Sequence, residues 1–471
     1  MSRSDRNSLA RRSFLKHSLR SAAALGLSGS AIPLFASPTS PDFSVGEGVV
    51  DTTVPNGVEL AGFHRVPGNE RVATGVREGT ASRAIVIRSG ETKFALVSLD
   101  VICVSPEFTQ RVAARVGKEA GIPPQNVHIT ATHTHSAPTF VYLRQWGKIP
   151  TDYMTQTEDA VVKSIVMANA DLTPAELFYG QAQAQGANFN RTTKDYKTDA
   201  QFDQTSTDDQ RWLDTLLQTL RFQRAGGKPD VIWYHFSSHP VCYTDSLSGP
   251  DWVGMVRQHV KDSEGVEPGF LQGHAGDVNP GDGTKWIGAP EPSADATYAA
   301  VKAALASSVS VPVKELKGAA GTCELPLDNE RLKRDLETYR QNPAACGSGV
   351  WVDPPFAADW YSAAKDWSLT KSALATPMST LALGPIGLLF HPAELYSFYG
   401  LQIRHASPFE QTLVVGFTDH SVGYVTDPNA YQAEEYAAIV VPKILDLPYY
   451  TPNAGRSLAA TAGEMLQKLA S

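Results

Sequence analysis

The chain has 471 residues, of which 42% are hydrophobic and 19% are charged, and its formal net charge is −8. This composition is too apolar for a disordered chain and is sufficient for a large packed core. The acidic balance argues against nucleic acid as a partner.

The first predicted element is a leader in residues 1–36. The pair Arg11-Arg12 precedes a small apolar segment that is rich in alanine, glycine and serine. This pattern is typical of a twin-arginine export signal. The alternative, a membrane anchor, is weaker because the apolar stretch is short and is broken by Pro33. We therefore expect export to the periplasm or secretion from the cell.

Removal of the leader changes the charge balance. Residues 1–36 carry six basic side chains and one acidic side chain, so the net charge of residues 37–471 is −13. This part of the sequence contains no basic cluster of the kind that binds anionic lipids. It also contains no apolar stretch long enough to span a bilayer. We expect residues 37–471 to form a single catalytic domain with no integral membrane segment.

Strands and helices alternate along the remaining chain, which predicts an α/β fold with a mixed sheet and surrounding helices. The clearest predicted strands are Ala84–Ile87 and Phe94–Asp100, in a β-rich segment at 49–104. Helical spacing of apolar residues occurs at 106–120, 152–169, 208–221, 296–306 and 457–469. The glycine- and proline-rich segment 273–292 is predicted to be a loop, and 331–371 a helical insertion or lid.

Three strand-like runs end in potential metal ligands. His133 and His135 follow the apolar run 126–130, His239 follows the run beginning at Val231, and Glu394 follows two short predicted strands. Alternation of side chains along a strand would direct His133 and His135 to the same side. Two histidines and a glutamate are a ligand set that suits a catalytic zinc with an open position. The sequence therefore predicts a metal hydrolase with its site in loops at strand ends.

The four cysteines at 103, 242, 323 and 346 are too few and too scattered for a disulfide scaffold. Cys323 and Cys346 could pair in an oxidising compartment. Cys242 is three residues beyond His239, where a soft metal ligand is conceivable, but a small buried apolar side chain is the simpler interpretation.

Several motifs occur in a characteristic order: Thr132-His133-Thr134-His135-Ser136, Asn188-Phe189-Asn190-Arg191, His239-Pro240, Gly276-Asp277-Val278-Asn279-Pro280, Pro392-Ala393-Glu394 and the tyrosine-rich segment Gly423 to Tyr436. In this order they resemble the catalytic domain of the neutral/alkaline ceramidase family. The resemblance runs from about Gly46 to Tyr436. It implies one zinc ion per chain with the ligands His133, His239, Glu394 and Tyr424. It also implies further site residues at His135, Arg191 and Tyr436.

Two departures from the family bear on the substrate. The family has a serine where this chain has Asn279, and an immunoglobulin-like domain of the family is not expected after Tyr436. An asparagine is not a useful nucleophile, whereas a zinc-activated water does not need the serine. His135 would then act as the general acid, and Asn279, Arg191 or Tyr436 would donate to the oxyanion.

Other interpretations of these residues stay open. Tyr424 and Tyr436 could be ordinary core aromatics, and Arg191 could only hold a loop. Asp100 and Asp277 could orient a ligand histidine or cap a turn. Asp251-Trp252 could contact substrate, whereas His274 and His391 are expected outside the metal ligands.

The sequence thus favours an exported zinc-dependent amidohydrolase that cleaves an N-acyl amide, with a ceramide-like lipid as the leading substrate. A zinc hydrolase of the same fold acting on a smaller polar amide or ester is one alternative. A binding protein that kept the fold without catalysis is the other.

Overall fold

The strand Ala81–Ser89 presents a different hydrophobic cluster on each of its two faces. Ala84 and Val86 pack with a layer of helices. Ile85 and Ile87 point the other way and pack against a second sheet. Successive side chains of a strand point to opposite faces, so a strand buried on both sides has an almost continuous apolar sequence.

A computed structural model describes residues 43–471 of the protein. The predicted leader in residues 1–36 lies outside the described residues. Residues 43–471 belong to one compact unit. Within the described part, no helix has both the length and the apolar character needed to cross a membrane.

The larger sheet is mixed, and its central strands are antiparallel. Its strands, in spatial order, are Gly269–Gln272, Val231–Phe236, Leu216–Arg224, Thr173–Gln183, Phe43–Asp51, Ala81–Ser89, Thr92–Leu99 and Val127–Ala131, with Val309–Val311 paired to Thr173–Gln183. The outermost pair at each end is parallel.

The smaller sheet packs face to face on the larger one. It contains the strands Leu316–Pro326, Ala373–Leu383, Ile386–Phe390 and Gln411–Val415. Short two-stranded ladders lie outside both sheets: Gly75–Val76 with Leu247–Ser248, Asn188–Asn190 with Val278–Pro280, Lys197–Thr198 with Trp212–Leu213, and Glu394–Leu395 with Tyr424–Val425.

Helices cover the outer faces of both sheets, which gives four layers in the order helix, sheet, sheet, helix. The α-helices are Pro106–Glu119, Thr151–Ala170, Trp252–Glu264, Pro290–Ala306, Asn329–Gln341, Pro354–Ala364, Ser397–Ala406, Pro428–Gln432, Val441–Ile444 and Ala454–Ala470. Shorter helical turns are Pro124–Asn126, Asp199–Gln201, Pro343–Ala345, Gly349–Trp351 and the π-helical turn Tyr436–Val440. The mixed α/β fold predicted from the sequence is confirmed.

The two edges of the larger sheet approach each other. Ser98 Oγ donates a hydrogen bond of 2.7 Å to the carbonyl of Phe270, which belongs to the strand at the opposite end of the sheet. A twisted sheet of this size coils, and the coiling brings these distant strands together. Beyond the strand ends, the amide of His135 donates to the carbonyl of Pro240 at 2.9 Å. Two loops that are far apart in sequence therefore meet at one place.

The predicted helix at 208–221 is wrong. This segment forms the strand Trp212–Leu213 and most of the strand Leu216–Arg224. Leu217 faces the helical layer, whereas Leu220 and Phe222 face the second sheet. The spacing of the leucines is compatible with either a helix or a strand. Hydrogen bonding to the neighbouring strands Thr173–Gln183 and Val231–Phe236 makes this segment a strand. The predicted helices at 106–120, 152–169, 296–306 and 457–469 are present, with bounds shifted by a few residues.

Two other expectations need correction. Residues 273–292 are mainly loop but include the short strand Val278–Pro280 and the start of a helix at Pro290. Cys323 and Cys346 are buried free thiols in different hydrophobic clusters, so they do not form a disulfide. The segment 331–371 contains two helices.

Candidate active site

Two buried histidines, His133 and His239, and the partly buried His135 direct the same ring nitrogen into one space. The Nδ1 atoms of His133, His135 and His239 lie 2.8, 3.1 and 3.0 Å from the main-chain carbonyls of Ile102, Gly62 and Val278, respectively. Because a carbonyl oxygen accepts, each Nδ1–H donates to it, and each Nε2 is directed into the common space. Ring orientation is thus fixed as metal-ligating histidines require.

The first two histidines do not lie on a strand. The strand Val127–Ala131 ends before them, and His133 has a φ of 64°. The strand alternation predicted for His133 and His135 is therefore wrong, although their rings do approach to 5.1 Å between centroids. The amide of His133 donates to Val101 at 3.0 Å, and its ring packs 4.4 Å from that of Phe417. These contacts hold the left-handed conformation, which few non-glycine residues adopt.

His239 and Glu394 complete a compact cluster of donor atoms. Glu394 Oε2 lies 3.3 Å from the Nε2 atoms of both His133 and His239. One ligand atom from each of His133, His135 and His239 lies within 4.8 Å of the others, and this group could hold a metal ion. The structure thus brings together the two histidines and the carboxylate that the sequence placed at three different strand ends.

Charges in the cluster favour an ionised carboxylate, neutral rings at His135 and His239, and a protonated ring at His133. Burial raises the pKa of Glu394, but the neighbouring His133 and hydrogen bonds from both histidines outweigh burial and hold it well below its usual range. Burial lowers the pKa of His135 well below its usual value and that of His239 to about 4. Burial also opposes protonation of His133, but the charge of Glu394 raises its pKa to about 10. One positive charge is therefore favoured beside this carboxylate.

Tyr424 and Arg191 extend the cluster on one side. The Tyr424 hydroxyl lies 3.4 Å from His239 Nε2 and accepts a hydrogen bond of 2.7 Å from Arg191 Nη2. The same Nη2 donates to the carbonyl of Gly276 at 2.9 Å, and Nη1 donates to Asn279 Oδ1 at 3.3 Å. Arg191 therefore contacts both of the predicted site residues Asn279 and Tyr424.

A cavity of about 560 Å³ opens on this cluster. His135, Arg191 and Tyr424 border it, and Tyr436, which is 46% exposed, forms part of its wall. A narrower recess of about 50 Å³ borders His133, His135, Glu394 and Tyr424. Seven of the eight predicted site residues thus border one of the two cavities or the donor cluster. Asn279 is fully buried and contributes to neither cavity wall.

Sequence reasoning missed two residues that position His135. Gly62 has a φ of 97°, and a Cβ there would lie 2.3 Å from His135 Nδ1. The buried guanidinium of Arg71 donates to the carbonyl of His135 and, at 2.7 Å, to that of Ala61. No sequence signal indicates these two residues. Gly62 belongs to no recognisable motif, and Arg71 precedes its partner His135 by 64 residues.

Other missed residues form the cavity wall. Phe63, Trp146 and Trp286 contribute aromatic surface, and His64 and Glu435 contribute polar groups. Trp286 is 68% exposed. The available sequence signal was a tryptophan in a glycine-rich loop. The sequence alone did not show that this loop faces the site.

The remaining candidates lie behind the site. Asp100 accepts from Ala81 and Thr132, and Asp277 accepts from Ser397 and Asn190, so both stabilise loops. Within residues 43–471, neither carboxylate makes a hydrogen bond to the ring of His133, His135 or His239.

Asp251 and Trp252 are also buried and support His239. Asp251 accepts from the amide of Cys242, and Trp252 Nε1 donates to the carbonyl of His239 at 3.0 Å. His274 lies 2.7 Å from Asp214 rather than in the cluster, and His391 Nδ1 accepts from the amide of Ala393.

The fold and site define a two-sheet α/β protein with a histidine- and carboxylate-rich centre at the base of a cavity. A family model described as neutral/alkaline non-lysosomal ceramidase, N-terminal, matches residues 43–286, more than half of the chain. The chain belongs to this family, and the resemblance noted from its motifs is confirmed.

Two curated relatives are similar over part of their length. The neutral ceramidase of Pseudomonas aeruginosa is 27% identical over 226 residues, which are 45% of this chain and 33% of the relative. The neutral ceramidase of Mycobacterium tuberculosis is 25% identical over 264 residues, 51% of this chain and 40% of the relative. The matches thus span between about a third and two fifths of these relatives.

The structural likeness covers more of the chain. The crystal structure of the Pseudomonas aeruginosa neutral ceramidase matches 90% of this chain and 74% of that chain, with a TM-score of 0.69 and 21% identity. A structure described as ceramidase complexed with C2 matches 91% of this chain and 75% of that chain, with a TM-score of 0.68 and 19% identity. These matches show a shared fold.

Proposed function

We propose that this protein is a zinc-dependent amidohydrolase that cleaves the N-acyl amide of a ceramide-like lipid. The observation that carries the proposal is the convergence of His133, His239 and Glu394: the Nε2 atom of each histidine lies 3.3 Å from Glu394 Oε2, and His133 and Glu394 border the smaller recess. Family membership supports the reaction class.

The residues present fit a zinc ion. His135 Nε2 is buried without a hydrogen-bond partner in the described structure, and the Nε2 atoms of His133 and His239 are oriented toward the same carboxylate. Neutral imidazoles and an ionised carboxylate are the protonation states that metal binding needs. His133, His239 and Glu394 would hold the ion, with Tyr424 beside them. When bound, zinc supplies a Lewis acid and lowers the pKa of water to about 7.

The chain's own residues then orient the substrate and move protons. Arg191 is fixed by the Gly276 carbonyl and the Tyr424 hydroxyl, so its guanidinium is preorganised for an oxygen that gains negative charge. His135 Nε2 carries a free lone pair, because Nδ1 donates to Gly62. His135 would therefore accept at Nε2 the proton that the attacking water releases, and it would then donate that proton to the departing amine. Tyr436, on the cavity wall, supplies a further hydroxyl donor.

The cavity suits an amide with apolar substituents. Phe63, Trp146, Val241 and Trp286 line much of its wall, and its volume lies in the range of small-molecule sites. Its polar lining includes His135, Arg191 and Tyr424, which lie at the donor cluster. An apolar wall around a small polar centre favours a lipid amide over a small polar amide or ester.

The decisive experiment combines metal analysis with a substrate series. Purified protein should contain about one zinc per chain, and a chelator should abolish release of the amine from an N-acylated fluorescent lipid. Readdition of zinc should restore it. Activity that persists without metal would exclude the mechanism. Tight zinc binding with no turnover of lipid amides, small amides or esters would instead identify a binding protein.

We also propose export to the periplasm or the medium. The support is the Arg11-Arg12 motif and the apolar segment after it, in residues outside the described part of the structure. Replacement of both arginines by lysine should retain the protein in the cytoplasm. Unchanged export of this variant would exclude the twin-arginine route.

A further inference from the structure

Asn279 joins two parts of the cavity without bordering it. Its side chain is fully buried, and its Oδ1 accepts from Arg191 Nη1 at 3.3 Å. Its Nδ2 donates to the main-chain carbonyl of Trp286. One carboxamide thus contacts both the guanidinium at the base of the cavity and the loop at its mouth.

The loop that carries Trp286 leaves and rejoins the core at two glycines. Gly281 donates to the Ala187 carbonyl at 2.8 Å and has a φ of 93°. Gly288 has a φ of 87°, and a Cβ there would lie 2.4 Å from the carbonyl of Pro280. Both ends are therefore pinned, and the hydrogen bond from Asn279 holds the turn between them.

Trp286 lines the cavity although most of its side chain is exposed. The exposed fraction is 68%. An exposed indole at a cavity mouth keeps its position only if its backbone is held, because it has few packing contacts of its own. The Asn279 amide provides such a restraint.

We propose that Asn279 is a positioning residue. It fixes the loop 281–288, called here the Trp286 lip, relative to Arg191 and thereby sets how the apolar part of the substrate enters the cavity. This inference rests on the proposed hydrolysis of N-acyl amides. It differs from the role of oxyanion donor expected from the sequence, since the amide nitrogen is directed to the Trp286 carbonyl.

The chemistry of the side chain explains why asparagine suits this place. A carboxamide has an acceptor and a donor at its two ends, which match the guanidinium and the carbonyl. An aspartate of the same shape would still accept from Arg191, but its second oxygen would repel the Trp286 carbonyl. Asn279→Asp therefore separates the two contacts.

Hydrogen exchange tests the restraint independently of catalysis. In Asn279→Asp, amides in residues 281–288 should exchange about tenfold faster than in the wild type. The helix Ala454–Ala470 serves as an internal reference, because faster exchange there would indicate global destabilisation. The matched control is Asn69→Asp, which makes the same chemical change at an exposed position away from the reference helix. Asn279→Ala, which removes both contacts without adding a charge, should give the same local increase. Unchanged exchange in 281–288 in both variants would overturn the proposal.

Kinetics test the consequence for the substrate. Asn279→Ala, which adds no charge beside Arg191, and Trp286→Ala should each raise KM for the N-acyl amide roughly fivefold, with a smaller effect on kcat. The double variant should be no worse than the more affected single variant, because both changes act on the same segment 281–288. A fall in kcat with unchanged KM in Asn279→Ala would place Asn279 at the reacting atoms and overturn the positioning role.

The two proposals fail in different ways. If the wild type cleaves no N-acyl amide, the proposed function fails. In that event the dissociation constant of the same amide, measured by tryptophan fluorescence, replaces KM and still decides the role of Asn279. Equal affinities of the wild type and Asn279→Ala would then contradict the inference.

Discussion

Glu394 and Tyr424 are register partners in a short parallel ladder. They are 30 residues apart in sequence, but Glu394–Leu395 pairs directly with Tyr424–Val425, and the amide of Glu394 donates to Gly423 at 2.9 Å. The carboxylate and the phenol are therefore held side by side against His239 by the backbone. Both residues belong to the proposed metal site, and this ladder supplies the rigidity that a preorganised site requires.

The first prediction concerns metal content. Glu394→Gln keeps the side-chain shape but removes the negative charge between His133 and His239, so bound zinc should fall at least about tenfold. Elemental analysis after dialysis measures the change. Glu330→Gln, on an exposed helical position, is the matched control and should retain zinc. Equal zinc in both variants would remove Glu394 from the ligand set.

The second prediction concerns Gly62. Gly62→Ala places a Cβ 2.3 Å from the His135 ring, whereas Gly57→Ala has open space and a similar φ, 92° against 97°. Both variants carry the cost of a left-handed alanine, about 1 kcal/mol. Only Gly62→Ala adds a steric cost, about 1–3 kcal/mol. It should therefore be the less stable variant in urea denaturation and should lose most amide hydrolysis. Equal stability and equal amide hydrolysis in the two variants would show that the ring of His135 moves freely.

The third prediction concerns Arg191. Arg191→Gln removes the charge and the contacts with Tyr424 and Gly276, so kcat should fall about 100- to 1,000-fold. Zinc content should change little, since Arg191 contributes no ligand. The exposed Arg334→Gln controls for loss of a charge. Loss of zinc together with activity would instead give Arg191 a role in building the metal site.

The fourth prediction concerns stability in acid. Burial lowers the pKa of His235 to about 4, compared with about 6.5 in the unfolded chain. The unfolded state therefore binds more protons between these values, and stability falls as the pH drops from 6.5 to 4. The loss from this residue is up to roughly 3 kcal/mol, and no such loss occurs above pH 6.5.

Denaturant unfolding of His235→Gln at several pH values checks this expectation. The variant should be less stable at pH 8, because glutamine does not reproduce the contact of His235 Nε2 with Val414, 2.9 Å in the wild type. Its stability should nevertheless depend less on pH between 6.5 and 4. In the control variant His405→Gln, at an exposed position, the free energy of unfolding should change with pH as it does in the wild type. An unchanged slope in His235→Gln would show that His235 is already accessible to protons in the native state.

The sequence alone determined the α/β alternation, most helices and the types of residue at the site. Apolar runs such as 127–131 and 231–236 are buried on both faces, so their composition by itself indicates interior strands. Polar residues directly after such runs must lie at strand ends. His133, His239 and Glu394 were predictable for this reason.

Only the tertiary structure decided how these strand ends meet. Coiling of the larger sheet brings the edge strands together, and pairing between neighbouring strands overrides the helical spacing at 208–221. The left-handed backbone of His133, the register of Glu394 with Tyr424 and the two contacts of Asn279 depend on residues up to hundreds of positions away. Local sequence patterns carry no information about such contacts, because side-chain spacing fixes a face of one element and not its neighbours.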